Sequence, residues 1–228
     1  MAGLLGLAAC SAQVHGSGQR LLTQPSAIGE LSIPVASLAE RRFLTVVQQR
    51  YDFSCGSAAL ATLLRYHYGE MIGEEAVFAG MWRDGDRAAI RRVGFSLLDM
   101  KRFLAARGEP ADGFRVTLTQ IMTAGVPGIA LINIGGYRHF VVVKGVQQDR
   151  ILLGDPALGL RAVSPAEFER IWNGIYFVIN DRRAMARSQW NGPRQWAAYV
   201  GAPIGDPFLV PLSQQALYLT VPAKGEFR

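Results

Sequence analysis

Apolar residues recur at helical spacing in the first half of this chain and gather into strand-length runs in the second. That change of period limits the folds open to it. Ala59, Leu60, Leu63 and Leu64 fall on one face of a helix running from Gly56 to Tyr68 and ended by Gly69. Ser96 with Asp99 is a capping-box pattern opening an amphipathic helix through Leu97, Leu98, Phe103 and Leu104, which stops at Gly108. Thr117 with Gln120 repeats the pattern before a short helix that ends around Gly125. Gly128 to Ile134 reads as a buried strand, and a hairpin follows in which residues 139–146 turn at Gln147-Gln148-Asp149 into 150–155. Ser164, Pro165 and Glu167 start a helix ending at Gly174, and Ile175 to Ile179 is the last strand. A further short strand is expected at Phe43 to Val47. Helices first and then a meander of strands predict an α+β fold, with N-terminal helices packed on an antiparallel sheet.

A chain of 228 residues, half of them hydrophobic, buries one sizeable core. The expected division is a leader at 1–18, a tether at 19–40, one catalytic domain at 41–180 and an extension of unassigned role at 181–228. Residues 11–38 are rich in Ser, Gly, Gln and Pro without periodicity, the mark of a tether, and the extension scatters Trp190, Trp196, Tyr199 and several prolines among turns. No apolar stretch reaches the ~18 residues that span a bilayer. The net charge of +6 comes from dispersed arginines such as Arg41, Arg42, Arg91, Arg92, Arg182 and Arg183. With no aromatic-interleaved basic stripe, it reads as solubility and affinity for anionic surfaces, not as nucleic-acid binding.

Only two cysteines occur. Cys10 closes Leu7-Ala8-Ala9-Cys10, which resembles a bacterial lipobox after a short apolar run, although the first basic residue is as late as Arg20. The expectation is export to the cell envelope or periplasm, with Cys10 either removed or acylated as a lipid anchor. The mature chain then keeps one thiol, Cys55, and cannot form an internal disulfide; a lone thiol in an oxidising compartment points to catalysis.

Cys55 lies at the mouth of the apolar helix, where unpaired N–H groups and roughly half a positive charge favour thiolate over thiol. Of the three histidines, His15 lies in the polar stretch 11–38 ahead of the domain and His67 lies on the Cys55 helix, roughly 18 Å along at ~1.5 Å per residue. His139, opening the run His139-Phe140-Val141-Val142-Val143, is therefore the candidate base. With the hairpin turn near residue 148, antiparallel pairing brings Asp155 close to His139 and Val141 and leaves Asp149 at the far tip. Asp155 can then orient the imidazole, beyond its plain use as an Asp-Pro turn residue. Gln49, six residues before Cys55, supplies with the Cys55 backbone N–H a donor pair for an oxyanion; Gln48 leaves that position ambiguous by one residue.

Cysteine, histidine and aspartate in this order resemble a papain-like cysteine peptidase. Together with Gln49-Arg50-Tyr51-Asp52-Phe53-Ser54-Cys55-Gly56, Ile151-Leu152-Leu153-Gly154-Asp155-Pro156 and Phe168-Glu169-Arg170-Ile171-Trp172, they are similar to cysteine-peptidase family 39, the bacteriocin-processing peptidases that cut leaders after a double glycine. The resemblance covers residues 43–180 and implies a papain-like fold, a polypeptide substrate, and neither cofactor nor metal. It also implies cleavage of an exported polypeptide or leader in a bacterial secretion pathway, amyloid and biofilm pathways included, with secretion-system components as partners. Many such peptidases are domains of ATP-driven exporters, but this chain has no G-x-x-x-x-G-K-[ST] loop, so ATP binding is not implied. Two rival readings stay open: a silent module that binds leaders or partners, and a thiol amidase acting on cell-wall peptides.

Overall fold

The computed structural model describes residues 37–197 and 199. The expected leader, Cys10, most of the tether and residues beyond 199 lie outside them. Residues 41–197 and 199 belong to one compact unit, separate from the residues up to Glu40. The element order is α1 (Leu38–Arg42), α2 (Cys55–His67), α3 (Glu74–Asp84), α4 (Arg87–Val93), α5 (Leu97–Ala105), β1 (Ala111–Arg115), α6 (Leu118–Ala124), β2 (Gly128–Ile134), β3 (Tyr137–Gln147), β4 (Arg150–Asp155), β5 (Gly159–Val163), α7 (Pro165–Ile171), β6 (Trp172–Ile179), α8 (Arg183–Gln189) and α9 (Pro193–Ala197). Among the described residues, no helix is long and apolar enough to cross a membrane.

Alanine and leucine, the best helix formers, fill α2, and every residue of it except Arg65 and Tyr66 is buried. A helix apolar nearly all round belongs inside the core, and this one is flanked by α3 and α5 and backed by β3. The six strands form one antiparallel sheet in the order β1-β6-β2-β3-β4-β5. Alternation along the strands separates two cores. Val142 and Phe177 join Leu60, Leu64, Met81 and Met100 on the α2 side, whereas Val141, Val143 and Tyr176 join Leu118, Ile121 and Phe168 on the α6 and α7 side. The predicted α+β fold, helices on an antiparallel sheet, is the one observed.

Both predicted capping boxes form, at Ser96 with Asp99 and at Thr117 with Gln120. The hairpin turns on Gln148 and Asp149, both with positive φ. Its register near the site is the expected one, Val142 opposite Gly154 and Val143 opposite Leu153, but shifts by one at Lys144, a bulge that the sequence does not announce. Lys144 is fully buried. Its ammonium donates to the Thr45 carbonyl at 2.7 Å and lies 5.2 Å from the Tyr66 ring centre.

Other expectations need correction. Phe43 to Val47 is a pair of turns, not a strand: Val46 N–H donates to Phe43 O, Val47 N–H to Thr62 Oγ1, and the Thr45 carbonyl is taken by Lys144. The helix after Ser164 ends at Ile171, because Trp172 already pairs with Ile132 in the sheet. Residues 183–197, read as turns, contain α8 and α9. There Asn191 donates from its backbone to Lys144 O and from Nδ2 to Val146 O, while Trp196 and Tyr199 pack against Val46, Leu152 and Leu160.

Candidate active site

Three elements converge on Cys55. The thiol sits on the first residue of α2 and is buried. His139 enters near the start of β3 and Asp155 at the end of β4, so one hairpin carries both side chains, each buried. His139 Nε2 and Asp155 Oδ1 are 2.7 Å apart. Asp155 Oδ1 also accepts the backbone N–H groups of Ala157 and Leu158, at 2.9 and 3.2 Å. The turn role and the orienting role that the sequence offers as alternatives thus belong to the same carboxylate. With Nε2 committed to Asp155, Nδ1 is the nitrogen left for sulfur; it has no aligned hydrogen-bond partner, yet Cys55 is near enough to influence the proton on the ring.

The electrostatics follow from these contacts. Burial disfavours an imidazolium, but the hydrogen bonds and charges of Asp155 and Cys55 outweigh it and push His139 up to about 9. Burial likewise disfavours the Asp155 carboxylate; the His139 bond, its charge and the two backbone donors overcome that and hold it below the ordinary range. The arrangement therefore favours a charged imidazolium–carboxylate pair beside a thiol at a positive helix end. His67 is elsewhere: at the far end of α2, fully buried, with both ring nitrogens unpartnered. Burial and the charge of Lys144 hold its proton affinity well below normal.

Gln49 is placed between the two halves of the site. Its backbone N–H donates to Pro156 O at 3.0 Å, just past Asp155, and its Nε2 donates to Tyr51 O at 3.1 Å. Nε2 has two N–H groups, so one is not used by Tyr51 O. Sequence reasoning missed two neighbours. Tyr137, two residues before His139 and so on its face of the strand, stacks on the imidazole at 5.9 Å and donates from its hydroxyl to Asp52 O at 2.8 Å; the two-residue period was the available signal. Arg161, on β5, approaches Asp155 Oδ2 at 3.7 Å and carries no sequence signal of that contact.

A thiol on a central helix, facing an imidazole on the adjoining antiparallel hairpin, is the architecture of papain-like cysteine peptidases, and the chain is a member of that class. The model of the Peptidase C39 family matches residues 44–184, and the chain belongs to this family. It is similar to the probable functional amyloid protease FapD of Pseudomonas aeruginosa, 42% identical over 167 residues that cover 70% of this chain and 74% of the relative. The protein of the same name from Pseudomonas fluorescens is 41% identical over 170 residues, covering 70% of this chain and 75% of the relative. Among solved structures, a double glycine motif protease from an AMS/PCAT transporter, in complex with the leader peptide, is 28% identical. It superposes with a TM-score of 0.51 over 59% of this chain and 89% of that one. The polypeptide substrate expected from the sequence accords with these relatives.

Proposed function

We propose that this cysteine peptidase processes an exported polypeptide or its leader in a bacterial secretion pathway, and that Cys55, His139, Asp155 and Gln49 carry the reaction. The observation that supports the residue assignment best is the buried His139–Asp155 pair held beside the thiol at the head of α2. The Cys55 thiolate attacks the scissile carbonyl, forming a C–S bond as the carbonyl electrons move to oxygen. The second Nε2–H of Gln49 and the Cys55 backbone N–H receive that oxyanion. His139 passes its proton from Nδ1 to the leaving amine as the C–N bond breaks, and Asp155 holds the ring by Nε2 throughout. Water, deprotonated by the now neutral His139, then releases the acyl group and restores the thiolate.

The likeness to functional amyloid proteases supports a secreted amyloid subunit or its accessory polypeptide as substrate, and the leader-bound structure supports cleavage after a double glycine. Residence in the cell envelope, with acylated Cys10 as a lipid anchor and secretion components as neighbours, is part of the same reading. Leu7-Ala8-Ala9-Cys10 supports it. The test incubates the purified chain separately with exported polypeptides from a secretion system and with cell-wall peptide fragments. Polypeptide cleavage lost at least about 10³-fold in Cys55→Ala is expected. Hydrolysis of wall fragments with polypeptides left intact would replace the reading by the amidase one. Mass spectrometry of the native protein decides the anchor: cleavage beyond Cys10 excludes acylation there.

A further inference from the structure

We propose that Glu74 is a positioning residue, whose buried carboxylate braces the Gln49–Ser54 segment against the start of α2 and so aligns the oxyanion donors with the Cys55 sulfur. The inference rests on Cys55 as nucleophile and Gln49 as donor. Glu74 is the first residue of α3 and only 5% exposed. A buried carboxylate is costly unless hydrogen bonds hold its charge. All of those bonds run to residues 50–57: both oxygens accept Arg50 N–H, at 3.2 and 3.1 Å, while Oε1 accepts Ser54 Oγ at 2.5 Å and Ser57 Oγ at 3.5 Å. Among the described residues no cation pairs with it, since the Arg50 guanidinium goes to Glu75 instead.

The consequence shows at Ser54. It is the N-cap of α2, and serine there normally accepts an N–H of the first turn, yet this one makes no such bond. Its hydroxyl donates to Glu74 and accepts Tyr51 N–H at 3.1 Å. The first-turn N–H groups of α2 are thereby left unclaimed by their own cap, at the place where a thiolate and an oxyanion need donors. The same chain of contacts reaches Gln49: Glu74 fixes Arg50 N–H and Ser54, Ser54 fixes Tyr51, and the Tyr51 carbonyl accepts the Gln49 amide. With Gln49 N–H on Pro156 O, the glutamine is pinned from the nucleophile side by Glu74 and from the base side by the turn after Asp155.

Two reactions of one thiol separate positioning from mere support. p-Nitrophenyl acetate acylates Cys55 through an oxyanion: the C–S bond forms, charge passes to the carbonyl oxygen, and it returns as the C–O bond breaks and p-nitrophenolate leaves. Iodoacetamide alkylates the same sulfur by displacement of iodide, with no oxyanion. Rates are corrected for Cys10 with Cys55→Ala. Glu74→Gln is expected to slow acylation about tenfold or more while alkylation stays within about twofold, with the unfolding midpoint measured alongside. In a Gln49→Ala background Glu74→Gln should add less than about twofold, because both act on one oxyanion. Unchanged acylation overturns the proposal. So does a parallel fall of both rates with the midpoint, or independent, multiplying effects in the double variant. If Glu74→Gln does not fold, Ser54→Ala removes only the hydroxyl link and carries the same comparison with the same criteria. A full p-nitrophenolate burst from Cys55→Ala would instead sink the nucleophile assignment itself.

Discussion

His139 is pulled two ways: burial lowers its proton affinity, and the Asp155 and Cys55 partners raise it to about 9. The linkage sign follows. Because the folded value lies above the unfolded one of ~6.5, its stabilising contribution is full below about pH 6.5 and is lost as pH rises through 9. In the proposed mechanism the same proton serves the leaving amine, so peptidase activity should hold on the alkaline side to about pH 9. Asp155→Asn removes the charge and reorients the ring; the alkaline limb of kcat/KM should move toward neutrality and kcat fall by about 10³-fold or more, leaving a residual rate. An alkaline limb unmoved in Asp155→Asn would detach that carboxylate from the base. At this scale the sequence was legible where chemistry is local: a cysteine at a helix start, one histidine not otherwise placed, and an aspartate located by hairpin pairing. Glu74 was not, because its role comes from contacts twenty residues away that no spacing rule anticipates.

Gly56 shows how an element is held to the tolerance that a site needs. A Cβ on it would lie 2.9 Å from the Phe95 Cβ and 3.1 Å from the Met100 Cε, so α2 starts in direct contact with the α5 layer. Phe95 Cβ is fixed to its own backbone and cannot swing away. Gly56→Ala gains helix propensity but must push α2 outward, for a net cost of about 1–3 kcal/mol. Since Cys55 precedes it, both iodoacetamide alkylation and peptide hydrolysis should slow; an unfolding midpoint and alkylation rate equal to wild type would show that the layer yields freely. The legibility of elements follows the same physics. Capping boxes and the two-residue hairpin turn are local and were readable. β1 and β5 are edge strands and were not read, the former with most of its side chains exposed and little apolar alternation to betray it. Helix α3 buries little apolar surface, Val77 and Met81, and acquires its place by packing on α2 and α5, while α4 is a seven-residue helix with Ile90 alone buried.

Residues 185–199 lie past the segment that matches the family, yet they bear on the chain as a whole through Lys144. Asn191 leaves no room beside Gly145, where an added Cβ would meet its Oδ1 at 2.1 Å, and it hydrogen-bonds to both Lys144 O and Val146 O. Gln195 donates to Tyr66 O, and Trp196 and Tyr199 cover Val46, Leu152 and Leu160. Burial of its side chain lowers Lys144 to about 7. An unfolded lysine titrates near ~10.4, so between about pH 7 and that value the unfolded chain holds the extra proton and the Lys144 contribution to stability rises with pH. His139 contributes the opposite slope up to about 9, and the two partly cancel in the intact protein. Ending the chain at Ala184 should cost about 3 kcal/mol or more from lost aromatic burial. It should also open the Lys144 ammonium to water and return it toward its ordinary range, leaving the His139 decline uncompensated below about pH 9. Urea unfolding from pH 6 to 10.5 on the full and shortened chains measures this. Lys144→Met, which keeps residues 185–199 in place, should abolish the same alkaline rise if the shortened chain does not fold. Superimposable pH profiles for the full chain and Lys144→Met would show that Lys144 does not titrate as a buried amine in the folded protein, and superimposable profiles for the full and shortened chains that residues 185–199 do not keep it from water.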